Sequence, residues 1–243
     1  MRESWWRVLA AVAVFAVVAL EGVLLRDDNS PLDTMDDATH QWALHNRNGF
    51  FTWGAKLIEY LTEPILATVL AILIGAFFIW RDRGLKRGVT IIATVLIAQA
   101  IAQVLRVFVD RPRPPASSRL ISLSDAPSYP SLHSTGSTAF MVIIAWVATA
   151  YSVKLWMRLA LDAAAIATGF VTSSRVYIGA GWASDQIAAV LIALACALLV
   201  TAVIELVWPW AHTLFPNSVA RWFNDDSDRR RPALDLADGP AEG

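Results

Sequence analysis

The sequence predicts an all-α fold, a polytopic membrane bundle of six transmembrane helices, and three observations lead there. Of the 243 residues, 56% are hydrophobic and 17% charged, more apolar surface than one soluble core of this size can hide. Apolar runs nearly free of charge recur along the whole chain, each able to cross the hydrocarbon layer at ~1.5 Å per helical residue. Basic residues gather in alternate connections: Arg81, Arg83, Lys86 and Arg87; Lys154 and Arg158; Arg221 and Arg229 to Arg231. That spacing is expected where short cytoplasmic loops carry the excess of Lys and Arg.

The first run, 5–25, is long enough to span, and no small-x-small cleavage site follows it, so it reads as a retained anchor and not a removed signal. A polar stretch, 26–48, precedes Phe50, Phe51, Trp53, Leu57 and Ile58; these suit either an amphipathic helix at the membrane interface or an ordinary surface loop. Further runs cover 61–80, 89–109, 135–153, 155–171 and 186–207. Trp5, Trp6, Trp53, Trp80, Trp208 and Trp210 fall at run ends, where the indole favours the headgroup layer. The tail beyond Phe223 has too few large apolar residues to fold alone. The expected organisation is thus an N-terminal helix with its outward loop (1–56), a transmembrane core (57–207) and a cytoplasmic, disordered tail (208–243).

With the basic loops inside, both termini are cytoplasmic, and the connections 26–48, 110–133 and 174–185 face outward. Arg111, Arg113 and Arg119 in the middle one oppose the charge bias, which a functional demand would explain. The formal net charge of −1 gives no reason to expect nucleic acid as a partner. The single cysteine, Cys196, lies inside the last run and reads as a packed thiol. The preference for Arg over Lys fits a GC-rich bacterial gene, so the expected location is a bacterial inner membrane.

The outward connections concentrate what a phosphate ester requires, fixed positive charge and many donors, without which its desolvation is prohibitive. Arg106, Arg113 and Arg175 supply planar multi-donor charge; the bland alternative is arginines snorkelling to lipid headgroups. Pro112 and Pro114 stop the third run, letting Arg113 fold back over the same mouth. Ser131 and His133 stand just ahead of the fourth run, where free N–H groups and the helix dipole favour an anion. His133 titrates near neutrality and is the best general acid in the chain, unless it is structural. Asp185 could simply cap the last helix.

These residues resemble the type 2 phosphatidic acid phosphatase superfamily, the membrane lipid phosphate phosphatases related to vanadium haloperoxidases. Its signatures are Lys, six residues, Arg-Pro; then Pro-Ser-Gly-His; then Ser-Arg, five residues, His, three residues, Asp. Here Arg106, six residues, Arg113-Pro114 matches the first with Arg for Lys; Pro130-Ser131-Leu132-His133 the second with Leu for Gly; Ser174-Arg175, five residues, Gly181, three residues, Asp185 the third with Gly for His. The resemblance covers roughly 57–206. It implies that Arg106, Arg113, Ser131, Ser174, Arg175 and the N–H of Leu132 hold phosphate, and that His133 protonates the leaving alcohol. It also implies that position 181 should carry the nucleophilic histidine steered by Asp185, which Gly181 cannot be. His40 and His45 in the first outward loop, and His212 on the cytoplasmic side, are the other histidines.

Two functions follow. One is a lipid phosphate phosphatase, acting on phosphatidate, phosphatidylglycerol phosphate or a polyprenyl (pyro)phosphate at the outer face by direct attack of water. The other is a pseudoenzyme binding such a lipid without turnover. A channel or transporter is the weaker competitor: Glu59, Glu63, Asp162 and Glu205 lie near or within runs, but no inverted repeat accompanies them, and snorkelling or interhelical hydrogen bonds account for them. The expected partners are a phosphorylated membrane lipid and the bilayer. No cofactor and no metal is expected, since arginines neutralise the charge and no ligand cluster has metal spacing.

Overall fold

The computed structural model describes residues 2–27, 30–124, 126–149 and 154–211. Eight α-helices and one short 3-10 turn, with no strand, occur among these residues: α1 (Arg2–Leu24), α2 (Asp33–His45), α3 (Gly49–Leu61), α4 (Pro64–Asp82), α5 (Lys86–Val109), α6 (Leu132–Thr149), α7 (Lys154–Tyr177) and α8 (Ala183–Ala211). The stretch 26–48, expected as a loop, contains α2. Asp33 and Asp36 in its first turn and His45 in its last suit the helix dipole. Asn48 caps α3 by accepting from Phe51 N–H at 3.0 Å, and Pro64 opens α4 at a position where its missing N–H costs nothing. Of the two readings of 50–58, the helix is the one found.

α1 lies along α8, while α5 packs against α4, α6 and α8; α7 rests on α6. Their shared core is built from Val18, Ile91, Val95, Ile143, Ile192 and Cys196, all fully buried, among neighbours. Between α4 and α5 the approach is set by glycines. A β-carbon on Gly88 would stand 2.3 Å from the Gly75 carbonyl, a contact that only glycine permits, as in tightly crossed membrane helices. Large apolar side chains such as Leu20, Ile65, Val107, Phe108, Ile166 and Phe170 point outward, the inverse of a water-soluble surface. At the end of the bundle away from the start of α8, Glu205 pairs with Arg7 and accepts from Ser4 Oγ at 3.1 Å, an interhelical tie between α8 and α1.

Among the described residues, four helices are long and apolar enough to cross a membrane: Ser4–Leu24, Pro64–Asp82, Lys86–Val109 and Ala183–Trp210. The other two of the expected six fall short for separate reasons. The apolar part of α6, Leu132–Ala148, is shorter, and α7 has the length but carries Lys154, Arg158, Asp162 and Arg175. The tail beyond Phe223, and His212, lie outside the described residues. α2 and α3 cover one end of this bundle, α3 against α7 and α2 against α7 and α8.

Candidate functional site

That covered end is where three separate stretches of chain meet. α5 stops at Asp110, whose backbone turns left-handed (φ 49°) while its N–H closes on the Arg106 carbonyl at 3.0 Å. The turn and the prolines beyond it send Arg111 inward and Arg113 across the mouth. α6 begins behind Ser131, whose Oγ accepts weakly from Ser134 N–H at 3.4 Å. α7 ends two residues before Gly179. This residue has φ 76°, and a β-carbon there would press on the Ser118 carbonyl at 3.0 Å; both constraints call for glycine. α8 starts with Asp185 reaching back to the Trp182 N–H at 2.7 Å, the carboxylate half of a capping box.

The arginines of the first and third motifs converge on His133. Arg106 donates twice to the Pro127 carbonyl, at 3.1 and 2.5 Å. Arg113 donates to the Ala126 carbonyl at 2.8 Å and to that of Ala180, bridging the loop before α6 to the loop before α8. Arg175, 2% exposed, binds the Glu59 carboxylate of α3, and the same oxygen, Oε1, lies 3.3 Å from His133 Nε2. Burial first, then the charges of Arg175, Arg113 and Arg106, lower the pKa of His133, which lies ahead of the apolar run starting at Thr135, to about 3. Burial and the like charges of Arg175 and Arg106 bring Arg113 down to about 10. Burial is the larger cause of both shifts; the cause they share beyond it, the like charges of neighbouring guanidinium groups, favours an arriving anion.

Ser131 and Ser174 are buried. Ser131 Oγ also donates to Ser134 Oγ at 3.2 Å, and Ser134 donates in turn to Gln186 Oε1 at 2.6 Å. Ser174 Oγ donates to the Val171 carbonyl at 2.8 Å. Leu132 opens α6, half-buried. Asp185 is wholly buried, and Ser131 N–H donates to its backbone carbonyl at 3.2 Å, so the second and third motifs touch directly.

Gly181 faces an occupied space. A β-carbon there would stand 2.9 Å from Gln186 Nε2 and 3.0 Å from Asp185 Oδ2, so a side chain at 181 must push the ends of both residues aside. Asp185 is not free to swing. Its Oδ1 receives Arg111 at 3.1 Å while Oδ2 holds the Trp182 N–H. Arg111 is buried and also binds Asp36 Oδ2 of α2 at 2.7 Å and Ser184 Oγ at 2.7 Å, with its guanidinium 5.3 Å from the Trp182 ring centre. Asp36 accepts from the Ser184 N–H at 2.9 Å and its hydroxyl at 2.5 Å. The aspartate of the third motif is thus committed to an arginine, and through it to α2.

Three residues beside the site were not read as part of it from the sequence. Glu59, which reads in the sequence as an acid satisfied by snorkelling or an interhelical bond, makes such a bond to Arg175 of α7 and lies beside His133. Asp36 was hidden in a stretch taken for loop. Arg111 showed itself only as one of three arginines opposing the charge bias. Of the other histidines, His45 is exposed with its Nδ1 2.8 Å from the Gln41 carbonyl. His40 packs edge-on to Trp182, ring centres 5.5 Å apart, with a buried Nδ1 unpartnered among the described residues. The charges bearing on His40 are Arg47 and Asp37, a different neighbourhood from that of His133. Among the described residues no three His, Cys, Asp or Glu side chains group as metal ligands; charge is delivered by guanidinium groups.

A helical membrane protein with arginines from separate stretches gathered around a histidine at one end of its bundle is the class that fold and site define. Residues 87–209, half the chain, match the PAP2 superfamily, and the chain belongs to it. Among solved structures, it is similar to the crystal structure of the first transmembrane PAP2 type phosphatidylglycerolphosphate phosphatase from Bacillus subtilis. The TM-score is 0.72 at 20% identity, over 81% of this chain and 96% of that one, a likeness of fold. Comparison with curated proteins gave no match.

Proposed function

We propose that the chain holds the phosphate of a membrane lipid, such as phosphatidate, phosphatidylglycerol phosphate or a polyprenyl (pyro)phosphate, at the outer face of a six-span bundle, without transferring it to the protein. Arg106, Arg113, Arg175, Ser131, Ser174 and the Leu132 N–H form the phosphate shell, and His133 faces the ester oxygen. A cleft of about 450 Å³ between α7 and α8 beneath α2, lined by Ala43, Ile187, Val190 and Leu191 with Gln186 at its edge, supports lateral entry of the lipid chain. Gln186 is hydrogen-bonded to Ser134 and so reaches the Ser131 corner of the shell.

The observation that carries binding over turnover is Gly181. Its missing side chain removes the attacking imidazole, and the carboxylate that would steer one is held by Arg111 and the Trp182 N–H. Direct attack by water would forgo the covalent intermediate and leave general acid–base help, typically worth ~10²–10⁴-fold. Purified protein in detergent should bind inorganic phosphate or vanadate by calorimetry yet release little phosphate from a panel of these lipids. Arg113→Gln should weaken anion binding by about 10- to 100-fold, the worth of a lost charge-assisted bond. Turnover at the rate of ordinary lipid phosphatases would overturn the binding assignment, and absence of anion binding would overturn the site.

A further inference from the structure

Glu59 is an acid inside a pocket otherwise built to attract anions. It comes from α3, outside all three motifs, and is 8% exposed. One of its oxygens, Oε1, serves both Arg175 Nη1 and His133 Nε2. The other, Oε2, is buried and accepts no hydrogen bond among the described residues, and Nε of the Arg175 guanidinium that binds Oε1 donates none. A buried carboxylate oxygen left without a donor is costly, and a fully ionised phosphate could not relieve it, since two anions would meet. A ligand that relieves both orphaned atoms must accept from the guanidinium and donate to the carboxylate. A singly protonated phosphate ester does both, with P–O⁻ for Arg175 and P–OH for Glu59.

We infer that Glu59 is a specificity-determining residue of this pocket, its Oε2 receiving the hydroxyl proton of a singly protonated phosphomonoester and so rejecting dianions and sulfate esters. The inference rests on the assignment of this pocket to phosphate. The charged and titratable groups facing Glu59 are Arg175 on α7 and His133 on α6, with Arg113 and Arg106 around His133. On α3 itself Lys56 lies three residues back, and Glu63 follows the helix. The argument for selectivity is chemical: the arginines attract any tetrahedral anion, and only the carboxylate asks whether it carries a proton.

Methyl phosphate and methyl sulfate separate these contributions. At pH 5.5 both are mainly monoanions of the same shape, since a phosphomonoester loses its second proton near pH ~6, and only the phosphate has a hydroxyl. The arginines and His133 act on both alike, so the ratio of their dissociation constants reports the carboxylate. In the purified full chain, calorimetry should give a preference for methyl phosphate of at least about tenfold at pH 5.5, shrinking toward pH 8. Glu59→Gln should abolish most of the preference by tightening methyl sulfate, while Glu59→Asp should keep its direction. Equal binding of the two esters by the wild type, or an unchanged ratio in a Glu59→Gln variant that melts like the wild type, overturns the inference while leaving the phosphate site standing. Failure of the wild type to bind either ester overturns the site itself. Should Glu59→Gln not fold, the wild-type ratio and its pH course decide alone.

Discussion

At the scale of single residues, the centre of gravity is Arg111. Its guanidinium is shared by Asp36, Asp185 and Ser184, all but fully buried, with Asp33 3.5 Å away as a more exposed fourth partner. Two buried carboxylates against one cation survive only because N–H and O–H donors from Trp182 and Ser184 complete their shells. Arg111→Met should therefore leave two negative charges stranded and lower stability by about 3–5 kcal/mol, read as a drop in melting temperature in detergent. Asp36→Asn should cost less, because Asp185 keeps its counter-charge. Little of this was legible in advance. Arg111 and Arg113 stand two apart in one proline-bounded loop, and nothing in spacing says which turns inward. The partner that decides it, Asp36, is 75 residues away. The three motifs could be read because each is local, with serine, histidine or arginine at a helix end.

At the scale of elements, the apolar runs placed six of the helices, with ends displaced by up to six residues at the C-terminus of α7, since hydrocarbon length and hydropathy mark the apolar part of a helix and not its polar ends. α2 escaped because a short polar helix has no such signature; its buried face is only Asp36, His40 and Ala43. α3 was half visible, through Phe50, Phe51, Trp53 and Leu57, all exposed, opposite buried Ala55 and Glu59. How two helices meet is less legible than where each begins, and the α4–α5 crossing shows why. Gly75 and Gly88 are ordinary residues in the sequence, yet each stands where the other's carbonyl leaves no space for a methyl group. Gly88→Ala should force the helices apart, at a cost of roughly 1–3 kcal/mol for overpacking. Gly169→Ala is the control. Nothing lies within 4 Å of its β-position on α7, so the gain in helix propensity should leave stability unchanged or raised by up to ~1 kcal/mol. Thermal unfolding of the two variants side by side checks both signs.

At the scale of the whole molecule, the site is a charge imbalance held in place by the fold. Four helix ends and two surface helices bring Arg106, Arg113, Arg175 and His133 together, and the cost is visible in His133, kept neutral by burial and its three cationic neighbours. The linkage has a definite sign. An imidazole has a pKa of ~6.5 in the unfolded chain and about 3 in the folded one, so between those values the unfolded state binds a proton that the folded state does not. Folding stability should thus fall as pH drops from about 6.5 toward 3, with a slope of up to ~1.4 kcal/mol per pH unit from this group alone, and should be independent of His133 above that window. His133→Gln removes the titration, so the difference between variant and wild-type melting curves isolates it from the carboxylates that protonate over the same range. A bound phosphate places negative charge among the arginines, restores protonation of His133 and makes it a proton donor, so saturating phosphate should flatten the wild-type curve toward that of His133→Gln. An acid sensitivity that persists unchanged in His133→Gln would mean that the guanidinium charges do not converge on this imidazole, and the pocket would then lack the field on which anion binding depends.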